Sequence, residues 1–272
     1  MGLIACLEDL SWTQVRDLPL SRAVVLLVSS PIEQHGPHLP LGADIFQASA
    51  VRDRIAERLA GGGRPVVLAP TLPYTTAVLS RTYPGSVSVR ARHLVPFFTD
   101  ILNSLAANGL GEIVVVSQHI DPPHVLAWEE ACRQAEADSG AHAIEGYERL
   151  LFDDLREDDS LAKILGVSSR GDSHAGLFET SVMMLARPDL VDAESVRRLA
   201  PAQVEFEKLR QVRDFHQVGD GLGYTGQPAK ASAEIGRRLV DLYATRFGDL
   251  VEEHLAGGEV WDRLSVRGLF GK

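Results

Sequence analysis

Residues 23–29, Ala-Val-Val-Leu-Leu-Val-Ser, form an unbroken apolar run that ends at Ser30-Pro31. A short run without alternation, followed by a turn signal, predicts a strand buried on both faces, as in a parallel sheet. The pattern then changes period. Ile45, Ala48, Val51, Ile55 and Leu59 recur at helical spacing over 45–60, and the glycines at 61–63 stop that helix. Residues 66–69, Val-Val-Leu-Ala, predict a second short buried strand. Leu94, Phe97, Phe98, Ile101 and Leu105 mark one face of a helix over 92–108, closed by Asn108-Gly109. Residues 112–117, Glu-Ile-Val-Val-Val-Ser, predict a third buried strand, and Pro122-Pro123 opens a helix that runs to about Asp138. Alternation of strands and helices predicts an α/β fold with a largely parallel central sheet flanked by helices. No repeat, low-complexity stretch or linker interrupts it, so residues 1–272 read as a single domain. The segment 215–230, rich in glycine and polar residues, is the best candidate for a mobile or active-site loop.

Composition narrows the picture. Aromatic residues are only 6% of the chain, so the core is built mainly from Leu, Val and Ala. A formal net charge of −10 argues against nucleic acid, whose phosphates need a basic surface. The acidic cluster Glu157-Asp158-Asp159 reads as a solvated helix end or loop. Cys6 and Cys132 have no CxxC spacing, which argues against a disulfide framework or structural zinc site and suits a reducing cytoplasm. The opening residues lack the basic flank and apolar stretch of a signal peptide, and no apolar segment reaches membrane-spanning length. The expectation is a cytoplasmic protein with no membrane partner, which meets any metal and any substrate inside the cell.

Two loops carry the candidate chemistry. Glu33-Gln34-His35-Gly36-Pro37-His38, with Asp44 beyond it, follows the first buried strand, and Ser117-Gln118-His119-Ile120-Asp121 follows the third. Functional groups gather beyond the carboxyl ends of strands in an open parallel sheet, so these distant segments are expected to meet. Glu33, His35, Asp44, His119 and Asp121 form a mixed carboxylate–imidazole set suited to zinc, with manganese or iron as alternatives. A bridging carboxylate permits one or two ions, and a pair of ions can hold and deprotonate a water. His38, His93, His124, His142, His216 and His254 read as ordinary solvated side chains.

The stretch Glu33-Gln-His-Gly-Pro-His-Leu-Pro-Leu-Gly-Ala-Asp44 resembles the signature of the creatininase (creatinine amidohydrolase) family. The resemblance extends to Leu10-Ser-Trp-Thr-Gln-Val15, Tyr83-Pro-Gly-Ser86, His174-Ala-Gly-Leu-Phe-Glu-Thr-Ser181 and Gly226-Gln-Pro228, and so spans nearly the whole chain. It implies a three-layer creatininase-like fold, metal ligation by Glu33, His35, Asp44 and His119, and a homo-oligomer, a hexamer in many members. It further implies that His174 transfers protons, that Glu179 binds or orients a metal, and that Asp121 stands where creatinine-cleaving members place a metal-binding Glu. Departures fall in the substrate-facing loops. Ile120, Pro122 and Pro123 replace a glycine-rich wording around the second His, while Ala77, Leu79 and Ser80 replace polar groups. No Trp lies close in sequence to His174. Ala77, Ser80, Ile120 and Asp172 are the expected substrate-binding positions. The resemblance therefore implies a metal-dependent hydrolase that cleaves a cyclic amide, amide or formamide C–N bond in something other than creatinine. Two alternatives stand beside it: hydrolysis of another bond (a lactone, a peptide-like precursor, a cyclic-ketone C–C bond) in a specialised biosynthetic pathway, and a non-catalytic binding protein of the same fold.

Overall fold

The computed structural model describes residues 2–156, 158–168, 171–204, 208, 211–265 and 267. The strands β1 (Ile4–Cys6), β2 (Val24–Ser29), β3 (Val66–Leu72), β4 (Glu112–Val116) and β5 (His142–Ile144) form a sheet in the order β1-β3-β2-β4-β5. Every pairing between these strands is parallel. β2 is the middle strand, with Val24–Leu27 beside Val66–Ala69 on one side and Val24–Val28 beside Glu112–Val116 on the other. Pro70 extends β3 past the expected end at residue 69. It falls where β1 has already stopped, at Cys6 opposite Leu68, and where the β2 register shifts between Leu27 and Ser29. A missing N–H is tolerated at such a place.

Among the described residues the α-helices of five or more residues are α1 (Trp12–Arg16), α2 (Ala43–Gly61), α3 (Ala91–Ala107), α4 (Pro122–Ser139), α5 (Tyr147–Arg156), α6 (Asp158–Leu165), α7 (Leu177–Ala186), α8 (Ala193–Arg198) and α9 (Ala233–Leu255). They cover both sheet faces. Val24, Leu26 and Val28 of β2 pack with Val51 and Ile55 of α2, Phe178 and Val182 of α7, and Leu239, Tyr243 and Phe247 of α9. Val25 and Leu27 face the opposite layer, with Leu94, Phe98 and Leu102 of α3 and Trp128 and Ala131 of α4. There Phe98 stacks on Trp128 with ring centroids 3.8 Å apart. Burial of successive residues on opposite faces explains why the run at 23–29 is apolar without alternation.

Local signals set the helix ends. Ser11 and Gln14 exchange hydrogen bonds in a capping box at the start of α1. Pro122 and Pro123 fill the first two positions of α4, where a missing N–H costs nothing. The next two amides, of His124 and Val125, both turn back onto the Asp121 carbonyl, at 2.8 and 3.2 Å. Where α9 crosses α7, a Cβ on Gly236 would stand 2.1 Å from the Ser181 carbonyl oxygen, so only glycine allows this approach. Of the acidic cluster, Glu157 lies outside the described residues, and Asp158 and Asp159 open α6. No helix among the described residues is long and apolar enough to cross a membrane.

Candidate metal centre

Because β2 and β4 are direct neighbours, the loops at their carboxyl ends face one another. Glu33 and His35 follow β2, Asp44 sits in the first turn of α2, and His119 follows β4. All four are buried, His119 the least so at 8% exposure. The Nδ1 of His119 lies 3.0 Å from Glu33 Oε2 and 3.2 Å from Asp44 Oδ2. The Nε2 of His35 lies 2.9 Å from Asp44 Oδ1 and 3.5 Å from Glu179 Oε2. Asp44 thus divides its two oxygens between two imidazoles. Two sets of donor atoms share Asp44, Glu33–Asp44–His119 and His35–Asp44–Glu179, each close enough to hold one cation, and a third group, Glu33–His35–His174, does not include it.

The far nitrogens explain how the rings are aimed. His119 Nε2 lies 2.8 Å from the Thr76 carbonyl oxygen, and His35 Nδ1 lies 3.0 Å from the Glu33 carbonyl oxygen. A carbonyl only accepts, so each of these nitrogens carries the proton and donates it. In the neutral imidazole the other nitrogen then turns a lone pair toward two carboxylate oxygens. Lone pairs facing lone pairs in a buried site repel unless a cation or a proton lies between them. Glu33 Oε2 and Asp44 Oδ2 indeed accept no well-formed hydrogen bond. Main-chain carbonyls behind the two imidazoles, with open acceptors in front, form a donor set that could hold a divalent ion.

Titration follows the same geometry. Burial pulls the His35 imidazole down, but Asp44, Glu179 and Glu33 outweigh it and bring it up to about 10. Burial likewise opposes charge on His119, and Glu33, Asp121 and Asp44 raise it well above its ordinary value. Against their own burial, Glu33 and Asp44 stay below the usual carboxylate range because of these imidazoles. Glu179 behaves differently: burial and neighbouring Asp44 lift it to about 7 despite the pull of His35.

His174 and Glu179 come from the turn and first helical residues around the start of α7. Ala175 between them adopts a left-handed φ of 50°, and its N–H meets Glu179 Oε2 at 2.5 Å. A non-glycine residue rarely takes this conformation, and here it fixes the Glu179 carboxylate. The His174 ring lies 4.5 Å from that of His35 and stacks on Phe215 at 4.0 Å. Its Nε2 faces the carbonyl oxygen and side-chain amide nitrogen of Gln34, at 2.8 and 2.9 Å. Burial, and then the charge of His35, lower His174 to about 4. The segment 215–230 does border the site: Phe215 covers His174, the Gly223 carbonyl accepts from Gln34, and Thr225 Oγ1 accepts from the His174 N–H.

Other expected positions lie elsewhere. Asp121 is not brought into either donor set: its Oδ2 stands 3.9 Å from the far nitrogen of His119 and accepts from the Val78 N–H at 3.2 Å. The shorter arm of Asp at this position leaves it behind the imidazole rather than in front. Of the four expected substrate positions, Ser80 donates to Glu33 Oε1 at 2.5 Å and thereby orients that carboxylate. Ala77 is fully buried, with its N–H on Ser88, and Ile120 packs against the apolar core. Asp172 caps α7 by accepting the Leu177 N–H at 2.5 Å, so its carboxylate is turned inward. The solvated reading also fails for three histidines. His38 is buried on Thr180, His124 is buried between Thr75 and Ser117, and His254 is buried against the His142 ring. Gln34, Phe215 and the Thr76 carbonyl were missed. An uncharged side chain or a main-chain oxygen leaves no chemical signature in sequence.

Buried carboxylates and imidazoles thus gather at the ends of adjacent central strands of a parallel α/β sheet, in groups that could hold a metal ion. The creatininase family model, described as creatinine amidohydrolase, matches residues 8–251. The chain belongs to the creatininase family. It is 29% identical over 242 residues to a mycofactocin precursor peptide peptidase of Mycobacterium ulcerans, with 87% of each chain covered. It is 25% identical over 257 residues to creatinine amidohydrolase of Pseudomonas putida, covering 90% of this chain and 95% of that one. Among solved structures, a creatininase crystal structure superposes with a TM-score of 0.72 at 22% identity, covering 91% of this chain and 96% of that one. A manganese form of creatininase gives 0.73 at 22% identity, with 93% and 98% covered.

Proposed function

We propose that this enzyme hydrolyses an amide-type C–N bond in a small molecule, with divalent ions held by Glu33–Asp44–His119 and by His35–Asp44–Glu179. The observation that carries this reading is the pair of imidazoles, each tied to a main-chain carbonyl behind and open to two carboxylate oxygens in front. Mixed nitrogen and oxygen donors of this kind suit zinc first, and also manganese or iron. Such ions supply Lewis acidity, activating water and polarising a carbonyl. Zinc–zinc and manganese forms of creatininase are among the similar structures, which supports the choice.

The chain's own groups do the rest. Ser80 holds Glu33 in place, and Ala175 holds Glu179. In this reading His174, whose ring lies 4.5 Å from that of His35, relays a proton from the attacking water to the departing nitrogen. Phe215 lies flat on that imidazole and keeps solvent from one face. Creatinine is not the substrate in this reading. Trp12 is exposed, Trp128 is buried against Phe98 and Trp261 packs at the border of the two cores, so no tryptophan reaches His174. A peptide-like precursor is the second reading, favoured by the identity to the precursor peptide peptidases. The family resemblance adds a homo-oligomer to the proposal, and the two free cysteines fit a reducing cytoplasm.

The test is a screen of the metal-loaded enzyme against cyclic amides, formamides, short peptides, lactones and creatinine, read as released amine or acid. Turnover of an amide, lost in His119→Ala together with bound metal, is the expected result. Turnover of lactones alone, or full activity in metal-free His119→Ala, overturns the reading.

A further inference from the structure

His124 lies outside both donor sets, yet it occupies the ground directly behind one of them. It is fully buried at the third position of α4, just after the two prolines. Its Nδ1 lies 2.5 Å from Thr75 Oγ1 and its Nε2 lies 2.9 Å from Ser117 Oγ. Both hydroxyls belong to fully buried residues. Thr75 follows β3 and Ser117 follows β4, and these strands do not touch, because β2 runs between them. The imidazole therefore joins two loops that the sheet itself leaves unconnected.

The join matters because of what stands next to each hydroxyl. Thr75 precedes Thr76, whose carbonyl takes the Nε2 proton of His119 at 2.8 Å. Ser117 stands two residues before His119 itself. The ring of His124 also meets that of His119 edge-on, with centroids 5.4 Å apart. Both ends of the His119 orientation, the acceptor behind it and the chain that carries it, are thus pinned to one side chain. A hydroxyl both donates and accepts, so either neutral tautomer of His124 satisfies both bonds. Glu148 stands 3.7 Å from its Nε2 as a further polar neighbour.

We propose that His124 is a positioning residue for the metal centre: through Thr75 and Ser117 it fixes the Thr76 carbonyl and the His119 loop, so that Nδ1 of His119 faces Glu33 and Asp44. This inference rests on the metal-binding reading above. It assigns to the Pro122-Pro123-His124 turn the task of holding the ligand loop rigid from behind. Groups behind a ligand imidazole set its orientation and basicity, and losing one weakens metal binding by about 10- to 100-fold.

The probe is Co2+ alone, added to the whole chain, with affinity read by chelator competition and geometry by visible absorption. Thr75→Val keeps the side-chain shape and removes one hydroxyl, His124→Phe keeps a ring and removes both bonds, and His124→Asn keeps a polar atom on the Thr75 side. The expected result is Co2+ affinity about 10- to 100-fold weaker in Thr75→Val and His124→Phe, with a shifted spectrum and substantial rescue in His124→Asn. Wild-type affinity and spectrum in Thr75→Val overturn the inference, and this variant decides alone if His124→Phe does not fold. Failure of the wild-type protein to bind Co2+ overturns the metal reading as well. Binding that is tight in the wild type and unchanged in the variants overturns only the role of His124.

Discussion

Glu179 Oε2 lies 3.5 Å from His35 Nε2, the nitrogen that also faces Asp44 at 2.9 Å. The structure thus completes the second donor set from α7 rather than from the loop after β4. Glu179→Ala should lower the metal-to-protein ratio by about one ion, whereas Asp44→Ala, which removes the shared carboxylate, should empty both sets. Asp121→Ala should leave the ratio unchanged. Elemental analysis of the purified variants checks all three, and a ratio that falls in Asp121→Ala but not in Glu179→Ala sinks this assignment.

Metal loading should release protons. At pH 7 the ion-free protein holds a proton on His35, raised to about 10, and on His119, raised well above its ordinary value. A ligand imidazole must be neutral, so loading releases about two protons and apparent affinity rises up to about 100-fold per pH unit below the raised values. The ion-free protein shows the opposite trend. Its stability from the His35–Asp44 pair is fully present below the ordinary value of 6.5 and is lost as pH rises through about 10. Calorimetric titration in buffers of different ionisation heat counts the protons, and a count near zero contradicts the scheme.

His174→Asn should separate chemistry from binding. In the proposed reaction the side chain relays the proton, while Glu33, Asp44 and His119 do not depend on it for a hydrogen bond. We expect turnover to fall by about 100- to 10,000-fold with metal content intact. Loss of metal in this variant would instead make His174 a ligand, a geometry allowed by its proximity to Glu33 and His35.

A second buried acid pair predicts an alkaline weakness. Burial, and then the charge of Glu148, push Glu145 well above its ordinary value of 4.5. Glu148, despite its own burial, is held down to about 2 by Glu145 and His124. A raised folded value means that the stability linked to Glu145 is fully present below about 4.5 and is lost as pH rises. Glu145→Gln keeps the shape and a permanently neutral group. Its melting temperature should match the wild type near pH 4.5 and exceed it increasingly toward pH 8; parallel curves would refute the pairing.

Gly236→Ala should destabilise the protein by about 1–3 kcal/mol, because the new methyl meets a main-chain oxygen that cannot rotate away. The contact lies between α9 and the helix that carries Glu179, with the added Cβ 2.1 Å from the Ser181 carbonyl oxygen. Thermal denaturation measures the loss, and an unchanged midpoint would show that the helices can separate freely.

Much of this architecture was legible in the residues. The runs at 23–29, 66–69 and 112–117 and the helical spacings at 45–60 and 92–108 all correspond to elements, because burial on both sheet faces leaves an unbroken apolar trace. Glu33, His35, Asp44 and His119 were legible as a set because their residue types are costly to bury without a purpose, and the structure brings them together. Asp121 misled because spacing along a loop does not say on which side of a ring a short carboxylate will stop. His38, His124 and His254 misled for a related reason: whether a polar side chain is solvated depends on partners such as Thr180 and Thr75, far away in sequence. Phe215 and the Thr76 carbonyl act by shape and by main-chain dipole, and neither has a residue-type signature.

The start of α4 bears on which molecules this wall can greet. Helix openings usually welcome phosphates and carboxylates because several amide hydrogens project from them unclaimed. Here Pro122 and Pro123 have none to offer, and the amides of His124 and Val125 are already engaged by the Asp121 oxygen. An anionic group at the opening of α4 therefore finds no free amide hydrogen at its first four positions.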